Sequence, residues 1–114
     1  MKKVDWSYHR PGCKTCGKTQ DYLEQAGTVV KEQVNATKER YGQSEARELL
    51  AQVTQLLVTK GQKYLDFDLK KESPTEEELM KLIIGPTGNL RAPTLRVGKK
   101  LLVGFNEEMY QRVK

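Results

Sequence analysis

Two cysteines, Cys13 and Cys16, are the residues of this sequence best suited to chemistry. Two residues separate them, so on a helix both would lie on one face at the short separation that a disulfide requires. A disulfide between them would close a loop too small to stabilise the fold, because little unfolded-state entropy is lost. The spacing therefore indicates a reactive thiol pair, in which Cys13 attacks and Cys16 resolves.

The residues around the two cysteines are predominantly basic. Within residues 1–20 the basic residues outnumber the single acid, Asp5; they are Lys2, Lys3, Arg10, Lys14 and Lys18. We expect Cys13 to begin a helix, where unpaired backbone N–H groups stabilise a thiolate. Arg10, Lys14 and, when protonated, His9 would favour the same charged form.

Other roles for these residues remain open at this point. A structural zinc site needs four ligands, whereas Cys13, Cys16 and His9 supply three at most, so we expect no metal. The two cysteines could also be inert and packed in a core. His9 could be a general base or a thiolate partner, or it could only hold its loop.

Composition limits the class of protein. The 114 residues have a mass of 13.0 kDa, which predicts one domain spanning 1–114. The net charge is +5, but charges of both signs are interleaved, which favours a solvated mixed surface over direct nucleic-acid binding. Only 37% of residues are hydrophobic, and no run is long enough for a membrane span or a signal peptide. We therefore expect a cytoplasmic protein.

The first third of the sequence has a strand–helix–strand pattern. We predict a strand at residues 4–8, a helix at 13–25 and a second strand at 28–34. A helix between two strands implies that those strands pair in parallel.

Local patterns also predict the remaining elements, except for one segment that is ambiguous. Apolar spacing predicts a helix at 44–55, whereas residues 56–69 could be strand or loop. Ser73 is predicted to cap a helix that stops at residues 85–86. A Gly98-Lys99 turn between 94–97 and 100–103 indicates a hairpin, and Asn106 should cap a final short helix.

This order of elements resembles the thioredoxin fold, and the whole chain is similar to its ArsC and Spx branch. The motifs that carry the resemblance are YHRPGCKTC at residues 8–16, LRAPT at 90–94 and GFNEE at 104–108. The resemblance implies an α/β protein with a central mixed sheet flanked by helices. It also implies a mostly helical insertion at about residues 37–90.

The resemblance assigns further site residues. A cis-proline begins the hairpin opposite the cysteines in this fold and shapes the groove where a substrate disulfide docks; Pro93 is the matching residue. Ala92, Arg91 and Thr15 are the other residues expected to contact substrate. The corresponding function is an enzyme, a thiol-disulfide oxidoreductase acting on protein or glutathione disulfides. It would be a monomer without a cofactor, with glutathione or another thiol reductant as co-substrate.

The family resemblance leaves two alternative functions. Glutaredoxin-dependent arsenate reductases share His9, Cys13 and Thr15, but Cys16 and Gly17 replace their serine and arginine. The later arginines of that family also align poorly with this sequence. Arg91 is displaced by one residue, so that Ala92 stands directly before the proline. Gly104 stands at the position of the last arginine, and Lys60 is only a partial match. The oxyanion needs planar, bidentate donors, which a lone lysine supplies poorly. The second alternative is an Spx-like redox-sensing regulator that binds RNA polymerase.

Overall fold

A six-stranded mixed sheet with helices on both faces dominates the structure, in the strand order β4-β2-β7-β8-β5-β6. This computed structural model describes residues 3–10, 14–36, 38–69, 75–85 and 88–113. The elements are β1 (Lys3–Val4), β2 (Trp6–His9), α1 (Lys14–Gln25), β3 (Val29–Val30), β4 (Gln33–Asn35), α2 (Gln43–Ala51), β5 (Gln55–Lys60), β6 (Lys63–Asp68), α3 (Glu76–Ile83), β7 (Thr94–Val97), β8 (Lys100–Val103) and α4 (Glu107–Arg112).

The predicted strand–helix–strand unit is present, and β2 and β4 pair in parallel on either side of α1. Each predicted strand is divided, however, because β1 and β3 form a separate two-stranded parallel sheet. Asp5 lies at the first division, where its carboxylate accepts a 2.6 Å hydrogen bond from the Gly98 N–H. That N–H keeps the pKa of the Asp5 carboxyl below its usual value. The prediction of one continuous strand at 4–8 and another at 28–34 is therefore wrong, because each of them is two short strands.

The predicted hairpin and final helix are confirmed. Strands β7 and β8 pair antiparallel from Thr94↔Val103 to Val97↔Lys100. The Asn106 side chain accepts a 3.0 Å hydrogen bond from the Met109 N–H, which caps α4.

In the described residues of the insertion at 37–90, helices α2 and α3 are accompanied by strands β5 and β6, which extend the central sheet, so the insertion is mixed rather than mostly helical. Residues 56–69, where strand and loop were both possible, contain most of the antiparallel hairpin β5–β6. Strand β5 pairs in parallel with β8. Helix α2 ends at Ala51, earlier than predicted, because Thr54 and Gln55 donate backbone hydrogen bonds to the Lys99 carbonyl.

The cap of α3 differs from the prediction. Thr75 is the N-cap, and its hydroxyl accepts a 3.2 Å hydrogen bond from the Glu78 N–H. Ser73 and Glu76 are three residues apart, and so are Thr75 and Glu78. The sequence therefore contains two overlapping capping patterns. Ser73 lies outside the described residues.

The sheet separates two hydrophobic cores. Alternate residues of one strand belong to different cores: Leu56 and Val58 pack beneath α2 and α3, whereas Leu57 packs beneath α1 and α4. Among the described residues no helix is both long and apolar enough to cross a bilayer, and α1, with 12 residues, is the longest.

Candidate thiol site

The Cys16 sulfur lies where strand β2 leads toward helix α1. Cys16 is only 2% exposed, and its Sγ accepts a hydrogen bond from the Arg10 backbone N–H at 3.3 Å. This bond joins the strand end to the first turn of the helix. A backbone N–H directed at sulfur stabilises negative charge there, which suits a resolving thiolate.

The other residues of the predicted motif are only partly described. Cys13 lies outside the described residues, so the predicted attacking thiol and its distance from Cys16 remain predictions. Lys14 and Thr15 are exposed in the first turn of α1, and Lys18 is exposed one turn further. The Arg10 side chain is also exposed. The start of the helix therefore presents basic side chains beside a buried sulfur.

His9 ends strand β2 next to this region. Its backbone pairs with Asn35, and its carbonyl accepts a 2.7 Å hydrogen bond from Ala36. Its Nδ1 atom is buried and has no hydrogen-bond partner among the described residues. Within that part of the chain, no cluster of three or more His, Cys, Asp or Glu side chains could hold a metal ion.

Pro93 is adjacent to the same strand end. Strand register pairs Tyr8 with Thr94, so the residues that follow Tyr8 lie beside those that precede Thr94. The Ala92–Pro93 peptide is cis, as predicted. Pro93 is buried and its carbonyl accepts a 2.8 Å hydrogen bond from the Gly104 N–H, whereas Ala92 is half-buried. The fold thus brings the proline turn beside the end of β2 that leads toward Cys16.

Arg91 has intramolecular partners for its guanidinium. One nitrogen donates to the Thr59 and Leu82 carbonyls, both at 3.1 Å, and another donates to the Thr59 hydroxyl at 3.0 Å. Burial lowers the pKa of Arg91 from its usual value. In this conformation Arg91 joins β5 to the last turn of α3, and much of its donor capacity is already occupied.

Thr59 also determines which residue can stand at position 104. The φ of Gly104 is +88°, a region that residues with a Cβ rarely adopt. A Cβ built on Gly104 would overlap the Thr59 hydroxyl and lie 3.0 Å from its methyl group. This backbone therefore has no room for a side chain at position 104, the position of the last arginine in the arsenate reductase pattern.

A chain of buried hydroxyl groups links α1 to the proline turn. The Tyr110 hydroxyl donates to the Gly104 carbonyl at 2.8 Å and lies 3.0 Å from the Thr19 hydroxyl. Since the phenol has one proton and donates it to Gly104, the Thr19 hydroxyl must be the donor to Tyr110. Gly104 in turn donates to Pro93. The roles of Thr19 and Tyr110 could not be predicted from the sequence, because two residues within separate helical patterns carry no signal that they meet.

The fold and these contacts define the class of protein. A sheet covered by helices on both faces, a strand–helix–strand start and a cis-proline at the hairpin are the features of a thioredoxin-like fold. The ArsC family model matches residues 8–113. The chain belongs to the ArsC family.

Curated relatives cover most of the chain. Regulatory protein MgsR of Bacillus subtilis (strain 168) is 29% identical over 103 residues, 87% of this chain and 81% of that protein. The uncharacterized protein YusI of the same strain is 26% identical over 110 residues, covering 91% and 92%. The global transcriptional regulator Spx of Listeria innocua is 28% identical over 109 residues, covering 92% and 82%.

Proposed function

We propose that this protein is a thiol-disulfide oxidoreductase that uses Cys13 and Cys16 as its redox pair. The observation that carries the proposal is the buried Cys16 sulfur, which accepts the Arg10 N–H at 3.3 Å beside the proline turn. The ArsC family match supports the same assignment, because it covers both the cysteine segment and the hairpin.

The reaction consists of two exchange steps. The Cys13 thiolate attacks one sulfur of a substrate disulfide, forming a mixed disulfide and releasing the other sulfur as a thiolate, which takes a proton from water. The Cys16 thiolate then attacks the Cys13 sulfur, the mixed disulfide breaks, and the second substrate thiol leaves. The substrate gains two electrons, the enzyme becomes a Cys13–Cys16 disulfide, and glutathione or another thiol reductant restores the dithiol.

Arsenate is a weaker candidate substrate. The Arg91 guanidinium is held by Thr59 and Leu82, and the backbone at Gly104 leaves no room for a further arginine. An oxyanion bound near Cys16 would therefore lack the planar, bidentate donors that suit it.

Parallel coupled assays test the proposed reaction. Purified protein is supplied with glutathione and glutaredoxin and given either a low-molecular-weight disulfide or arsenate. We expect turnover of the disulfide, loss of that turnover in Cys13→Ser, and mixed-disulfide accumulation in Cys16→Ser. Efficient arsenate reduction with no disulfide reduction would overturn the proposal.

A redox-sensing regulator is the second candidate. The relatives named as regulators, MgsR and Spx, favour it, since they align over 87% and 92% of this chain. In that case the same cysteine pair would act as a switch, and RNA polymerase would be the partner. Co-purification of RNA polymerase with the oxidised but not the reduced protein would support this function.

A further inference from the structure

Helix α1 buries a hydroxyl group beside the thiol of the proposed redox pair. Its buried side chains are Cys16, Thr19 and Leu23. Cys16 and Thr19 are three residues apart, so they lie on the same face of the helix, about one turn from each other. Each is only 2% exposed. The Cys16 sulfur and the Thr19 hydroxyl therefore share one buried region.

The Tyr110 phenol is the partner of this hydroxyl, and it also lies near the sulfur. Tyr110 is fully buried, and its oxygen is 3.0 Å from the Thr19 oxygen. Burial raises the pKa of the phenol, the Thr19 hydrogen bond opposes this, and the negative charge of a Cys16 thiolate raises the pKa further. The two-step exchange reaction gives Tyr110 no role, although its phenol is close enough to the sulfur to be affected by its charge.

The phenol proton is donated to a rigid part of the backbone. Its acceptor is the Gly104 carbonyl, at 2.8 Å. Val103, the residue before Gly104, is paired on both sides, with Thr94 and with Val58. The acceptor of the phenol proton is therefore fixed at the end of a central strand.

This hydrogen-bonded chain holds α1 in a way that apolar packing does not. Leu23 packs in the core beneath α1 and α4, but apolar contact is not directional. Thr19 instead makes a directional bond, and the chain continues through Gly104 to the Pro93 carbonyl. Thiol exchange needs the reacting atoms closely aligned, and a displacement of about 1 Å can cost about a hundredfold in rate.

We propose that Thr19 and Tyr110 are positioning residues that align the Cys16 sulfur for the resolving step. In that step the Cys16 sulfur bonds to the Cys13 sulfur of the mixed disulfide, and the bond from Cys13 to the substrate sulfur breaks. The substrate leaves with that electron pair as a thiolate, which takes a proton from water. Neither hydroxyl gains or loses a proton. This assignment rests on the oxidoreductase function proposed above.

The two exchange steps are timed separately with dithiobis(nitrobenzoate), a chromogenic disulfide. Attack by Cys13 releases one coloured thiolate, and resolution by Cys16 releases the second. The reduced full chain is kept in excess over the reagent, so that the second release is intramolecular and independent of protein concentration. We expect Tyr110→Phe and Thr19→Val each to slow the second release by about three- to tenfold, the equivalent of one lost hydrogen bond. The first release should change by less than about twofold.

Matched variants separate positioning from stability. Thr19→Ser retains the hydroxyl and should resolve faster than Thr19→Val. Tyr22→Phe removes a hydroxyl of α1 to which no described residue hydrogen-bonds, and it should leave both releases unchanged. Circular dichroism at the assay temperature confirms folding, and if Tyr110→Phe does not fold, the two Thr19 variants decide.

The outcomes distinguish this assignment from the proposed function. Equal slowing of both releases, a wild-type second release in folded Tyr110→Phe, or equal rates in Thr19→Ser and Thr19→Val would overturn the positioning role. Release of a single thiolate by the wild-type chain would contradict the oxidoreductase function itself.

Discussion

The Arg10 N–H that meets the Cys16 sulfur joins the two ends of the segment that contains Cys13. The sequence predicted that Cys16 lies in the first turn of a helix, and it lies in the first turn of α1, where its side chain is buried. The sequence could not predict this donor, because nearly every residue has a backbone N–H and no residue type marks the one that contacts sulfur. The same holds for Arg91: the family resemblance assigned it to substrate contact, but its hydrogen bonds to Thr59 and Leu82 depend on tertiary packing.

The first prediction concerns the reactivity of Cys13. In Cys16→Ser the remaining thiol should have a pKa below the free value of about 8.5, since a helix start and nearby basic side chains stabilise the thiolate. The rate of alkylation against pH measures this pKa. Cys13→Ser is the control and should be alkylated more slowly, because Cys16 is buried. A pKa at the free value would remove the argument that Cys13 is the activated thiol.

The second prediction concerns Gly104. Gly104→Ala should destabilise the protein by about 1–3 kcal/mol more than Gly61→Ala, because only at position 104 does a Cβ also collide with Thr59. Both glycines have positive φ, +88° and +63°, so the backbone cost of about 1–2 kcal/mol is shared. Urea denaturation measures both. Adding Thr59→Ala should recover part of the loss at position 104, and no recovery would contradict the overlap.

At the scale of elements, the sequence predicted what local chemistry determines. The hairpin turn at Gly98-Lys99 and the Asn106 cap are local signals, and both are present. The hairpin β5–β6 was ambiguous because β5 also pairs with β8, and the paired residues, such as Gln55 and Lys100, are 45 positions apart in the sequence. The division at Asp5 has the same origin, since its partner is Gly98.

The third prediction tests the hydroxyl chain between α1 and α4. Tyr110→Phe should cost about 1–3 kcal/mol, because it leaves the Thr19 hydroxyl and the Gly104 carbonyl without this buried partner. Tyr22→Phe is the control, because no described residue hydrogen-bonds to the Tyr22 hydroxyl, and it should cost less than about 0.5 kcal/mol. Urea denaturation at pH 7 measures both variants.

Tyr110→Phe should also change how the stability of the protein depends on pH. Burial raises the pKa of Tyr110, so the folded protein keeps a phenol proton that the unfolded chain releases above about pH 10. The stability that Tyr110 contributes is therefore complete below about pH 10 and is lost as the pH rises further. The difference in stability between wild type and Tyr110→Phe should shrink between pH 9 and pH 11. A constant difference would show that Tyr110 titrates alike in both states.

At the scale of the whole molecule, the sheet separates basic side chains at the start of α1 from acidic side chains on α2. The basic residues Lys14 and Lys18 lie on α1 beside Cys16, whereas the carboxylates Glu45 and Glu48 lie on α2 across the sheet. Composition gave only the net charge of +5 and could not show this separation. The family resemblance was recognisable from the sequence because its motifs are contiguous and the order of elements is local.

A thiol titration of the purified full chain before and after glutathione disulfide, read together with intact mass and metal content, tests the redox pair most directly. We predict that a monomer loses both thiols, that its mass falls by two hydrogens, and that a thiol reductant restores both. Cys16→Ser should instead gain a glutathione adduct on Cys13. Two thiols that persist after oxidation, or stoichiometric zinc in the purified protein, would contradict the assignment of Cys13 and Cys16 as a redox pair.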